Sequence, residues 1–167
     1  VETIIRAANE LKETENISFH IVGDGSRLEE CKKLANDLNV KNVSFYGRKP
    51  VEKMPGFYNM ADAMLITLKA DKAISLTLPG KVQSYMAAGK PVIGAINGET
   101  RQVISKAGCG YTCEAEDYKA LADLIFGFCR SNEIEQLGKN AKQFYLDNYS
   151  KDNFITALEG ALFSLEV

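Results

Sequence analysis

Tryptophan is absent from the 167 residues, histidine occurs once and proline four times. The one histidine, His20, lies inside the apolar run 17–22 and reads as a strand residue tied down by its neighbours. Neither a His-dependent triad nor a His-rich metal site is therefore expected. The four cysteines, Cys31, Cys109, Cys113 and Cys129, include no pair at the two-residue spacing that zinc sites use, and read as reduced core or boundary thiols. Charge of one sign is lacking too: 20 Lys and Arg face 22 Asp and Glu, a formal net charge of −2. No basic field capable of holding a nucleic-acid backbone follows from that balance, so no nucleic-acid partner is expected. No apolar run approaches the roughly 20 residues that span a bilayer, and the N-terminus has neither the basic nor the apolar region of a signal peptide. The chain reads as soluble and cytoplasmic.

What is present describes one globular α/β domain. Residues 46% apolar and 25% charged exclude a disordered chain. At about 150 residues a fold removes roughly 68–70% of its unfolded surface from water, so no disulfide or metal staple is required. The first residue is Val, and helical periodicity begins at once with Ile4, Ile5, Ala8 and Leu11 on one face. A start without cap or preceding strand predicts that a segment upstream of Val1 has been removed.

From there the pattern alternates. Strands are predicted at 17–22, 43–46, 61–67, 91–95 and 109–113, with helical faces between them: Leu28, Cys31, Leu34, Ala35 and Leu38, then a short Pro- and Gly-broken helix at 54–60, then 81–88 and 99–106. Residues 69–78 read as a loop. Gly89 and Gly108 stop the helices before them. The C-terminal third carries three apolar helix faces: Leu121, Leu124, Ile125 and Phe128; Ile134, Leu137, Ala141 and Phe144; and Phe154, Ile155, Leu158, Ala161 and Leu162. Strands separated by single helices require right-handed crossovers and a parallel sheet covered on both faces, the Rossmann-like doubly wound architecture.

In such a sheet ligands sit beyond the carboxyl ends of the strands. Two loops there stand out. Gly23-Asp24-Gly25 joins a strand to a helix that Ser26 is placed to cap, and its glycines let a ligand approach the backbone. The alternative is a tight turn with no ligand. Leu76-Thr77-Leu78-Pro79-Gly80-Lys81 runs into a helix, where first-turn amides and the positive end of the helix dipole form an anion site. Lys81 opposes that dipole, so a cation there points to a local anion. A solvated surface lysine is the alternative.

Residues 78–93, Leu-Pro-Gly-Lys-Val-Gln-Ser-Tyr-Met-Ala-Ala-Gly-Lys-Pro-Val-Ile, resemble the signature of the C-terminal, donor-binding domain of retaining glycosyltransferases of family 4, which have the two-domain GT-B fold. The surrounding order is similar as well: Ile-Val-Gly-Asp-Gly at 21–25, the strand at 43–47, Tyr-Asn-Met-Ala-Asp-Ala at 58–63 and Ala-Gly-Cys-Gly-Tyr at 107–111. The Pro-Gly-Lys form looks most like the subgroup that moves amino-deoxy sugars in surface polysaccharide synthesis.

The resemblance implies that residues 1–167 form a donor domain truncated at its N-terminus, with a nucleotide sugar, most readily a UDP-sugar, as donor. It places the base against Gly47, Arg48 and Lys49, and the diphosphate on the backbone from Leu78 through Pro79, Gly80 and Lys81 to Val82. Two glutamates of the family pattern fall at Leu76 and Ser84, so the usual ribose and sugar contacts are altered. Glu99 is the carboxylate placed to substitute at the ribose. An Arg and a Lys that neutralise the leaving diphosphate belong to a segment upstream of or at Val1. The saccharide or lipid-linked acceptor, and any contact with the inner face of a membrane, belong to a missing N-terminal domain. No Asp-x-Asp pair is present, so neither metal nor cofactor is expected. Two other readings share the architecture: a sugar-nucleotide epimerase half, and a non-catalytic nucleotide-binding domain.

Overall fold

The computed structural model describes residues 1–163. Strands and helices alternate in the order α1 (Glu2–Glu10), β1 (Phe19–Val22), α2 (Leu28–Asp37), β2 (Val43–Gly47), α3 (Met54–Met60), β3 (Met64–Thr67), α4 (Lys72–Ser75), α5 (Gly80–Ala87), β4 (Val92–Ala95), α6 (Glu99–Ala107) and β5 (Gly110–Cys113). Three helices follow: α7 (Tyr118–Phe128), α8 (Ile134–Tyr149) and α9 (Lys151–Phe163).

β4 explains the layering. All four of its residues are buried, and they alternate between two cores, as the period of two dictates. Ile93 and Ala95 join α1, α2 and α7 through Ile5, Ala8, Cys31, Leu121 and Ile125. Val92, together with Ile96 just beyond the strand, joins α5, α6 and α8 through Val82, Met86, Ile104 and Ala141. Helices therefore cover both faces, and a strand buried on both sides has to be a continuous apolar run.

Every strand pair is parallel, yet the expected sheet divides into two ladders among the described residues. β1 pairs with β2, Phe19 opposite Val43, with an irregularity between Ile21 and Val22. β4 pairs with β3 on one edge and β5 on the other, so Thr67, Ala95 and Cys113 lie abreast. β1 and β3 are not hydrogen-bonded to each other. The chain passes between the ladders through a 3₁₀ turn at Val51–Lys53 and α3. The parallel α/β class expected from the sequence is what forms, in two ladders rather than one, since apolar periodicity reports that a strand is buried and not which strand it pairs with.

Two local expectations are corrected as well, and a third element is found exposed. Ser26 does not cap α2: Arg27 holds the N-cap position without a capping side-chain bond, and its guanidinium instead reaches Glu30 at 2.7 Å and Glu2 at 3.4 Å. The loop 69–78 contains α4, which Asp71 caps by accepting from the amides of Ala73 and Ile74. The apolar face of α9 forms but is not buried: Phe154, Ile155, Leu158, Leu162 and Phe163 are exposed. Burying such a side chain stabilises by about 1.5–3 kcal/mol, a gain α9 forgoes; among its contacts is Asn153, whose Nδ2 donates to Leu146 O and Asp147 O.

His20 matches its reading, with its ring nitrogens hydrogen-bonded to Ser18 and Tyr46. Cys31 and Cys109 are buried and Cys113 is partly so; Cys129 is exposed.

Candidate functional site

Because the strands within each ladder are parallel, residues 68–79 and the loops after β4 and β5 gather at one end of the three-stranded sheet, and the loops after β1 and β2 at one end of the other. Gly23 N–H donates to Gly47 O at 2.9 Å, which joins the first two loops. A Cβ built at Gly23, Gly25, Gly47 or Gly80 meets nothing within 4 Å, so the backbone at each stands open to a ligand. Arg48 and Lys49 are exposed, and neither has an ion-pair partner among the described residues.

The second expected feature begins one residue earlier than its sequence suggested. Pro79 is the N-cap of α5 and Gly80 its first residue. The amides of Gly80 and Lys81 have no hydrogen-bond partner among the described residues, as the first turn of a helix leaves them. Leu78 and Val82 turn their side chains into the α5–α8 core, so only their backbone is available to a ligand. Lys81 has no ion-pair partner among the described residues, and desolvation by the surrounding protein lowers its pKa from the ordinary lysine value. Lys81 is nonetheless an exposed residue; its ammonium opposes the helix dipole when alone and is favoured there once an anion arrives.

The starts of α1 and α2 meet near the end of β3: Thr67 Oγ1 lies 3.5 Å from the Val1 nitrogen, and Arg27 at the α2 N-cap reaches Glu2 in the first turn of α1 at 3.4 Å. A cleft of about 340 Å³ opens beside them, lined by Arg6, Arg27, Thr67, Lys69, Glu116 and Tyr118 among others. None of these lining residues stood out in the sequence. Arg27 carried the only signal, its place at the helix start after the Gly23-Asp24-Gly25 turn.

Ser84 is exposed and its hydroxyl folds back to donate to Gly80 O at 3.4 Å. Leu76 is 80% exposed. Glu99 lies in the first turn of α6; burial and then the charge of Glu99 raise the pKa of Tyr149. That helix start packs on the segment leading to α5. Gly98, at φ 72, has its Cβ direction 2.0 Å from Ser75 O, so no larger residue fits there. The structure thus brings Glu99 beside the Ser75–Lys81 approach, whereas Gly23 and Gly47 belong to the other ladder.

A larger concavity of about 390 Å³ lies at the opposite strand ends, beside Gly89, Pro91 and Gly138. Its lysines are already engaged: Lys90 with Ala61 O, Lys142 with Ala87 O and Lys139 with Glu135. It offers no free cation to a ligand.

Residues 1–155 match the family described as Glycosyl transferases group 1. The chain is 29% identical over 153 residues to the probable glycosyltransferase WbjE of Pseudomonas aeruginosa, covering 90% of this chain and 38% of that protein. It is 25% identical over 154 residues to a GDP-mannose-dependent phosphatidylinositol monomannoside mannosyltransferase of Mycolicibacterium smegmatis, covering 89% of this chain and 40% of that protein. The chain thus spans about two-fifths of the length of these curated relatives. Among solved structures, Anabaena HepE in complex with UDP superposes with a TM-score of 0.83 at 17% identity, over 97% of this chain and 44% of that one. The C-terminal domain of the group 1 glycosyl transferase LpcC from Francisella tularensis gives 0.73 at 18% identity, over 90% of this chain and 79% of that one. These two show a shared fold, a Rossmann-like half of GT-B. With the family match running through nearly all of its length, the chain belongs to the group 1 glycosyl transferases.

Proposed function

We propose that this chain is the donor-binding domain of a retaining glycosyltransferase that uses a nucleoside-diphosphate sugar, with uridine as the base. The observation that carries this reading is the start of α5: two amides and a lysine, Lys81, none of them paired among the described residues, at the carboxyl end of the three-stranded sheet. Backbone N–H groups and one point charge suit a diphosphate, and they act most strongly where charge develops as the nucleoside diphosphate leaves. A solved HepE complex contains UDP, which supports the choice of base; the mycobacterial relative's name specifies GDP-mannose, which makes guanosine the competitor. The amino-deoxy subgroup is the narrower form of the proposal for the donor sugar.

The chemistry assigned to these residues is charge stabilisation. Gly80, Lys81 and the α5 dipole hold the departing phosphates, Gly47 to Lys49 accept the base, and Ser84 with Glu99 face the ribose. The acceptor, a saccharide or lipid-linked saccharide, and any membrane contact are assigned to polypeptide outside these 167 residues. No helix among the described residues is long and apolar enough to cross a membrane.

The test is calorimetry of the 167-residue chain with UDP, UMP, GDP and NAD, beside an assay of sugar transfer. Weak binding with UDP first and no transfer is the expected result. Preference for GDP overturns the base assignment, preference for NAD overturns the donor reading, and transfer by this chain alone overturns the division of labour.

A further inference from the structure

Glu116 occupies the left-handed region at φ 67. The other non-glycine residues found there, Asn16 and Asn39, are of the type that tolerates it; a glutamate at this φ is held against a steric cost. Its side chain reaches far in sequence. Oε2 accepts from the amide of Ala70, 46 positions away, at 3.3 Å. Ala70 lies at the start of the segment 68–79, whose far end delivers the helix start with Lys81.

The turn that carries Glu116 is itself anchored. Ala115 N–H donates to Asn97 Oδ1 at 3.0 Å, Arg101 pairs with Glu114, and Asp117 caps α7 through the amide of Ala120. The segment 68–79 is anchored at its other end, where Thr100 donates to Thr77 O. Between these anchors the carboxylate of Glu116 is the one hydrogen bond from the β5–α7 turn to the segment among the described residues. A single exposed hydrogen bond does not outweigh a left-handed glutamate. The contact therefore adds little net stability, and its consequence is where the segment sits.

We propose that Glu116 is a positioning residue: its latch on Ala70 fixes the 68–79 segment and so sets the α5 start and Lys81 for the donor diphosphate. The proposal rests on the donor-binding reading above. If releasing the latch leaves the segment in its competent position about a third of the time, affinity falls by the same factor.

Three measurements on the 167-residue chain test it: thermal unfolding, hydrogen exchange at the Ala70 amide, and UDP affinity. Glu116→Gly removes both the latch and the strain. Its unfolding midpoint is expected to stay level or rise, Ala70 exchange to accelerate about tenfold, and UDP to bind about threefold more weakly. Glu116→Gln keeps a carbonyl acceptor and is expected to restore both exchange and affinity to within about twofold of the parent chain. Unchanged exchange and unchanged UDP affinity in Glu116→Gly overturn the proposal, as does a fall in midpoint for both variants with matching losses of affinity. Failure of the parent chain to bind UDP is a different result: it refutes the donor reading, while Ala70 exchange still reads the latch by itself.

Discussion

Thr100 Oγ1 donates to Thr77 O at 2.9 Å from a side chain with no solvent exposure. It is the one buried polar side chain in the fold's core among the described residues, and it ties the start of α6 to the segment that leads into α5. Gly98 makes the same junction by close approach, its Cβ direction 2.0 Å from Ser75 O. The candidate anion site is thus held from behind by α6 rather than by its own helix.

Thr100→Val keeps the volume and removes the donor, leaving Thr77 O without it. The expected loss is about 1–2 kcal/mol of unfolding free energy, read by urea titration. UDP affinity is expected to fall in the same variant because Thr77 lies four residues before Lys81. Unchanged affinity beside the stability loss would separate this anchor from the site.

Ser84→Glu is expected to tighten UDP binding by about three- to tenfold, since a carboxylate accepts from both ribose hydroxyls with charge assistance. The native hydroxyl is turned back onto Gly80 O and lies one helical turn from Lys81 on an exposed face. Glu99→Gln is expected to weaken UDP binding. Weaker binding in Ser84→Glu together with no change in Glu99→Gln would show that neither residue meets the ribose.

Burial pushes the Cys109 thiol up to about 11 from an ordinary 9.0. The fold favours the neutral thiol, so its contribution is complete below pH 9 and is lost as pH rises through about 11. Cys113, raised to about 11 by burial and by Asp117, titrates in the same window. Thermal midpoints measured from pH 8 to pH 12 are expected to decline most steeply there, and Cys109→Ala to flatten that decline while lowering the midpoint at neutral pH. An equally steep decline in Cys109→Ala would place the alkaline sensitivity elsewhere.

Much of the fold was legible because burial leaves a periodic trace. α3 falls on its expected residues, and β4 was readable as a run of apolar residues because both of its faces are covered. Strand partnership leaves no such trace, so the break between the two ladders was not foreseen. α4 was missed because four residues held by Asp71 bury nothing and show no apolar face. The third apolar face forms a helix as its periodicity indicates, though periodicity cannot say whether a partner covers it. The site divides the same way. Pro79-Gly80-Lys81 declares a helix start by local chemistry, which sequence carries; Arg27 and Glu116 reach the cleft through distant contacts with Glu2 and Ala70, which sequence does not.

The most direct test of the donor-binding account is titration of the parent chain and Lys81→Ala with UDP and with uridine. A charge-assisted contact shielded from water contributes about 1.5–3 kcal/mol, or roughly tenfold to a hundredfold in affinity. The account predicts a loss of that size for UDP, with uridine binding within about twofold of the parent chain. Equal losses for the two ligands, or none for UDP, would contradict it and return Lys81 to the fold or to the solvent.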